Sequence, residues 1–275
     1  MFGSVITVFS LVTIFAIIIS IVYQNIRFVY PQEEVHYSFI GTWDSEGEED
    51  GQLRKPHSID VDSSGNVYVA DSGNNRVQKF TSDGRFITKW GNEGNQNGQF
   101  RTLHEVAVDP SGEYVYTIEI DNYRVQKFNS DGAFIGKWGY ENTGGHGAFR
   151  NPHQIAIDSS GKLYLPDKGG SEVLKFDSDG RLVKIWGSNG TGNGQFKTPH
   201  GVAVDSINNV YVTDMDNHRV QKFDSNGKFI TKWGSEGDGD GQFSEPEDIA
   251  VDSLTGIVYV TDTGSSRVQL FSMKN

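Results

Sequence analysis

Along most of this chain apolar residues alternate with polar ones at a period of two, in short runs separated by clusters of Gly, Asn, Asp and Ser. That period places one row of side chains on each face of a strand, so it predicts β-strands joined by tight turns. The N-terminus breaks the pattern. Val5 to Tyr23 form a run of 19 residues interrupted only by Thr7, Ser10, Thr13 and Ser20, and the first 26 residues carry no charged side chain. About 20 apolar residues span a bilayer as a helix. A cleavable leader needs a basic start, a shorter apolar core and a small-residue cleavage site, and none is present. The expected organisation is a transmembrane anchor over 1–24, a polar linker over 25–36 and a β-rich body over 37–275. Arg27 on the C-terminal flank favours a cytoplasmic body by the positive-inside rule. Short-tailed N-terminal anchors more often export the domain they carry, and the expectation adopted is a single-pass membrane protein with an extracytoplasmic body.

The body repeats. Trp stands at 43, 90, 138, 186 and 233, with steps of 47, 48, 48 and 47. Asp62, Asp109, Asp158, Asp205 and Asp252 keep the same step, as do Tyr68, Tyr116, Tyr164, Tyr211 and Tyr259. Phe80, Phe128, Phe176, Phe223 and Phe271 form another column. Arg76, Arg124, Arg219 and Arg267 form a fourth, with Glu172 as the exception. A fixed period of this size marks a propeller or solenoid. Within one period, four strand-like segments separated by Asn/Asp/Gly turns match one propeller blade. In the fourth repeat these are His200–Asp205, Val210–Thr213, Arg219–Phe223 and Phe229–Trp233. One blade alone leaves its faces uncovered, so blades stack around an axis.

These residues resemble the NHL-repeat family. The signature runs here as Asp214-Met215-Asp216-Asn217-His218-Arg219-Val220-Gln221-Lys222-Phe223, and Asp71 to Phe80 and Asp262 to Phe271 repeat it. The resemblance implies an all-β propeller of four-stranded blades that binds proteins or other macromolecules on its loop face. The family is known for six blades, whereas this chain contains five sets. Ser38 to Trp43 match Arg85 to Trp90, a fourth strand, while the last repeat stops just after its third. The expectation is a five-bladed ring in which the N-terminal strand completes the last blade and removes an open sheet edge.

Composition narrows the function. The 24 Lys+Arg and 36 Asp+Glu give a net charge of −12, and there is no Cys. Residues 1–37 hold Arg27, Glu33 and Glu34, net −1, which leaves −12 + 1 = −11 on the body. A body this acidic argues against nucleic acid, whose recognition needs clustered Lys and Arg. The lack of Cys excludes disulfides, thiolate metal sites, cysteine nucleophiles and a RING module. No nucleophile elbow, His-Glu-x-x-His or phosphate loop occurs, and the Gly clusters recur with the repeat as connectors.

One column carries chemistry. His57, His104, His153 and His200 occupy the same repeat position, and the fifth repeat places Glu247 there. Each opens an innermost strand, so the fold would gather them into one axial ring. Imidazole and carboxylate together suit a divalent transition metal, zinc above all. Repeat copying and packing between blades explain the column equally simply. Pro56-His57, Pro152-His153 and Pro199-His200 are similar to zinc-binding segments of the peptidyl-α-hydroxyglycine amidating lyases, although the catalytic Arg and Tyr of that family have no counterpart here. A weaker cation patch is Glu46, Glu48 and Asp50 with Glu236, Asp238 and Asp240 in two connectors, the second nearly fitting a calcium loop. Asp71, Glu119, Asp167, Asp214 and Asp262 recur in all five repeats, which points to loop hydrogen bonds. The reading adopted is a membrane-anchored scaffold that binds a protein or small ligand on its loop face and no nucleic acid. A metal-dependent lyase or hydrolase using the axial ring is the alternative.

Overall fold

The computed structural model describes residues 42, 46–139 and 149–272. The expected anchor and linker, and the expected closing strand Phe39 to Trp43, lie outside them. Among the described residues no helix is long and apolar enough to cross a membrane.

Five antiparallel sheets succeed one another in chain order. Blade 1 holds β1 (Ser58–Val61), β2 (Val67–Asp71), β3 (Arg76–Phe80) and β4 (Phe86–Trp90). Blade 2 holds β5 (Leu103–Val108), β6 (Tyr114–Glu119), β7 (Arg124–Asn129) and β8 (Phe134–Gly139). Blade 3 holds β9 (Ala156–Ile157), β10 (Leu163–Asp167), β11 (Glu172–Phe176) and β12 (Leu182–Trp186). Blade 4 holds β13 (Pro199–Val204), β14 (Val210–Asp214), β15 (Arg219–Phe223) and β16 (Phe229–Trp233). Blade 5 holds β17 (Pro246–Val251), β18 (Val258–Asp262) and β19 (Arg267–Phe271), a three-stranded sheet among the described residues. The four-stranded blades are thus as the repeat predicts, with the first strand of blade 4 shifted one residue toward the N-terminus and the second one residue longer at its end.

The recurring columns explain the turns. Asp62 closes the first turn of blade 1 by accepting the N–H groups of Ser64 and Asn66, both at 2.9 Å, and the hydroxyl of Tyr68 at 3.2 Å. Asp158 with Tyr164 and Asp205 with Tyr211 repeat the bond at 3.0 and 3.1 Å. The Trp column joins blades. Trp90 lies under the turn of the next blade at Gly132, where φ is +86° and an added Cβ would stand 2.5 Å from the indole. Only glycine meets both demands. A Lys column adds a polar latch. Lys79, Lys127 and Lys175 donate to the carbonyls of Ser130, Ser178 and Ser225 in the following blade, and each lies over a Tyr ring of its own blade.

Apolar clusters fill four junctions: blade 1 with 2, 2 with 3, 3 with 4 and 4 with 5. The fifth differs. Val268 and Leu270 on β19 are 56% and 59% exposed, and Ile59 and Val61 on β1 are 64% and 53% exposed. Val77, Val125, Val173 and Val220, the counterparts of Val268, are fully buried. Leu270 also stands where the other blades carry the latching Lys.

Candidate functional site

The Arg column builds the face on which the connectors lie. Arg76 pairs with buried Asp71 at 2.6 Å and donates to the carbonyls of Glu48, Glu49 and Gln52 in the preceding connector. Arg124 with Glu119, Arg219 with Asp214 and Arg267 with Asp262 repeat the arrangement at 2.7, 2.8 and 3.0 Å. Asp71 also accepts from Arg54 N–H, Asn74 and Gln78. The recurring acids therefore serve loop hydrogen bonds, as their recurrence implied. Two columns of one register, a guanidinium and a carboxylate, hold the connectors that lead into blades 1, 2, 4 and 5 flat over those blades.

The acidic connector residues are distributed along this face. Asp50 pairs with Lys89 at 2.5 Å and Glu48 with Arg54 at 3.4 Å. In the other connector Asp238 accepts from Ser265, and the carbonyls of Asp238 and Gly239 are taken by Arg267. That guanidinium also takes the carbonyl of Gln242, the seventh position, which a calcium loop would aim at a metal.

The connectors deliver each chain segment to the axis, where the His column sits. The structure brings all five of its side chains together. Ring centroids of His57 and His104 are 3.8 Å apart, those of His104 and His153 5.0 Å, and those of His153 and His200 4.5 Å. His200 Nε2 then lies 4.0 Å from Glu247 Oε1. His104 Nδ1 is 3.1 Å from the carbonyl of His153, so it is the protonated nitrogen of a neutral ring. Burial, then the charge His57 would carry, lowers His104 to about 4. Burial, then His200 and His104, lowers His153 to about 3. Burial also lowers His200. His104, His153 and His200 are thereby held as uncharged imidazoles at neutral pH.

Beneath it lies a second layer, one residue further along each innermost strand: Ser58, Glu105, Gln154, Gly201 and Asp248. Wall and layer together enclose a cavity of about 480 Å3. Ser58 and Gln154 accept the N–H groups of Val106 and Val202 from the next blade, at 3.2 and 2.6 Å. Asp60, two residues deeper, accepts that of Val108 at 2.7 Å. These bonds satisfy the free inner edges of the sheets. Gly201 has no side chain, and Gln154 reaches past it to Asp248. Glu105 takes no strand N–H; it faces the Ser58 hydroxyl and the carboxylates of Asp248 and Asp60. Burial, then Asp248, raises it to about 8. Sequence reasoning missed this layer because its five residues differ, so no column marked it; its signal was a polar position next to each ring residue. Among the described residues, no group of three His, Asp or Glu is arranged to hold a metal ion.

Comparison with known proteins places these features. The NHL repeat model matches residues 53–80, 196–223 and 243–271. Protein lin-41 of Caenorhabditis elegans is 53% identical over 47 residues, which is 17% of this chain and 4% of that protein. Among solved structures, a catalytically inactive histidine-to-alanine variant of virginiamycin B lyase from Staphylococcus aureus, with quinupristin, superposes with a TM-score of 0.61 at 14% identity, covering 80% of this chain and 68% of that one. A streptogramin B lyase gives 0.59 at 14% identity over 80% and 70%. A Bacteroides thetaiotaomicron protein of unknown function gives 0.51 at 16% identity over 82% and 72%. At these identities the likeness is one of fold.

Proposed function

For this chain, an NHL-repeat β-propeller, we propose the role of a membrane-anchored binding scaffold whose recognition surface is the connector face, centred on the axial bowl. The observation that carries this is the convergence of His57, His104, His153, His200 and Glu247 over one cavity of about 480 Å3. A concave site with a few convergent polar groups, framed by loops on a rigid scaffold, is the usual form of a binding site. Residues 1–24 supply the anchor and hold the propeller on the extracytoplasmic side. The partner is a protein or a small ligand, and the acidic body disfavours nucleic acid. The test is site-specific photocrosslinking in the native membrane. Probes on the connector face, at Asn74 and Asp121, should trap one defined species. Probes on the opposite face, at Ser111 and Ser159, should not. Equal yields from both faces overturn the assignment.

A second reading has its own support. The imidazoles of His104, His153 and His200 are held neutral, the form in which they bind metal. The virginiamycin B lyases that share this fold are enzymes, and one is inactivated by loss of a histidine. On this reading the ring holds zinc or another divalent metal in a lyase or hydrolase, and the connector acids form a secondary cation patch. Small rotations of two or three imidazoles would be needed to bring their nitrogens onto one centre. Elemental analysis of the purified chain decides: metal at one equivalent supports it, and a metal-free protein that zinc does not stabilise removes it.

A further inference from the structure

We propose that the axial bowl is a socket for a primary ammonium group. This rests on the bowl being the centre of the recognition face, and it names the group that enters. The wall is four imidazoles and Glu247, and the floor is Glu105 and Asp248, with Asp60 deeper along β1. No Lys or Arg is among the residues that line the cavity. Lys168 lies near enough for its charge to act on His153 and His200, but it is not part of the lining. The lining therefore holds three carboxyl side chains, of Glu105, Glu247 and Asp248, and no permanent cation, which disfavours an anion.

The shape of the demand is specific. Each side chain that could satisfy itself does so: Ser58 and Asp60 take N–H groups of blade 2, Gln154 takes one of blade 4, and Asp248 takes Gln154 and the N–H of Ile249. Glu105, at the same level, has only the Ser58 hydroxyl. Its carboxyl faces two carboxylates in a half-buried site with no donor beyond that hydroxyl. An ammonium group carries three donors and no acceptor. It can bond Glu105 and Asp248 together and give its third proton to an unprotonated imidazole nitrogen. Floor and wall are one residue apart on the strands, about 3.3 Å, so a single small head spans them. The aromatic wall suits the methylene stem behind such a head.

The full chain should be titrated with n-butylammonium, 1-butanol and butyrate, reading the histidine side-chain resonances. Butylammonium should shift the His104 and His153 signals saturably. Butanol should bind at least about tenfold more weakly, and butyrate should not bind. Glu105→Gln and Asp248→Asn should each weaken butylammonium binding about tenfold without lowering the melting temperature. Nα-acetyl-lysine methylamide and glycine methylamide distinguish a side-chain amine from a chain N-terminus as the source. If butanol matches butylammonium, or no probe shifts the histidine signals, the proposal falls. Crosslinking confined to the connector face would still stand in that event, so the two failures are separable.

Discussion

The imidazole rings of His57 and His104 lie with centroids 3.8 Å apart and planes inclined by 42°, at the head of an arc that runs on to His200 and Glu247. Two rings this close cannot both carry a proton without strong mutual repulsion. His104 and His153 accordingly stay neutral until the pH is well below the ordinary imidazole range.

The pH dependence of stability has two limbs. His104 and His153, lowered to about 4 and 3, bind protons more weakly in the folded state than in the unfolded chain. Their contribution is full above about 6.5 and is lost as the pH falls toward those values. Glu105, raised to about 8, has the opposite sign: its contribution is present below the usual carboxylate range and is lost as the pH rises to about 8. Thermal melts from pH 3 to pH 9 should show a maximum between the limbs. Glu105→Gln should flatten the alkaline limb alone; an unchanged alkaline slope would contradict the burial of Glu105.

Glu172 breaks the clamp that holds the other connectors. It stands where Arg76, Arg124, Arg219 and Arg267 stand, and Leu174 stands where the other blades carry the Gln that bonds the connector. Burial, then the neighbouring Asp167 charge, raises Glu172, and burial raises Asp167. Both raised values mean stability lost as the pH rises. Glu172→Arg should convert a repulsive pair into the ion pair of the other blades. We expect a gain of roughly 1–3 kcal/mol at neutral pH, shrinking toward pH 4, read by denaturant midpoint. Arg219→Ala should cost about 3–5 kcal/mol, because it strands buried Asp214.

Zinc gives a third measurement. On the metal reading, His153→Ala and His200→Ala should each lower bound zinc and abolish the rise in melting temperature that zinc produces. Binding to the folded state alone stabilises by about 2.7 kcal/mol at a hundredfold excess over the dissociation constant. The control is His218→Asn. His218 bonds the Ser244 carbonyl at 2.7 Å and sits at φ 53°, a backbone that Asn tolerates and Ala does not. It lies off the axis and should leave zinc content unchanged.

The exposed faces of β1 and β19 set the fourth prediction. Truncation through residue 45 should lower the melting temperature sharply, whereas truncation through residue 30 should not. Such a difference is what an N-terminal strand closing the open edge of β19 would produce. Equal melting temperatures for the two chains would exclude Phe39 to Trp43 as the closing strand.

The blades were legible because their joints repeat. Trp90, Asp62 and Arg76 each solve a problem that every blade shares, so selection for the same solution leaves a column. The His arc was legible for the same reason. The floor of the bowl was not, because Ser58, Glu105, Gln154, Gly201 and Asp248 solve different problems at one position, and the symmetry of the repeat is broken there. The buried state of Lys79 and Lys127 was also hidden: lysine reads as a surface residue until a Tyr ring and a carbonyl of the next blade are found over it.

The guanidinium clamp bears on how such a chain can be cut and rearranged. Arg76 ties residues 48–52 to its own blade, and Arg124, Arg219 and Arg267 do likewise with the connectors before them. A connector therefore belongs mechanically to the blade after it. The natural seam of the repeat falls just after each Trp, not at the start of an innermost strand. Gene segments duplicated or spliced at that seam would carry every clamp intact, and a circular permutant opened between Trp186 and Ser188 would keep its connectors, whereas one opened between Phe196 and His200 would sever blade 4 from the loop its arginine holds.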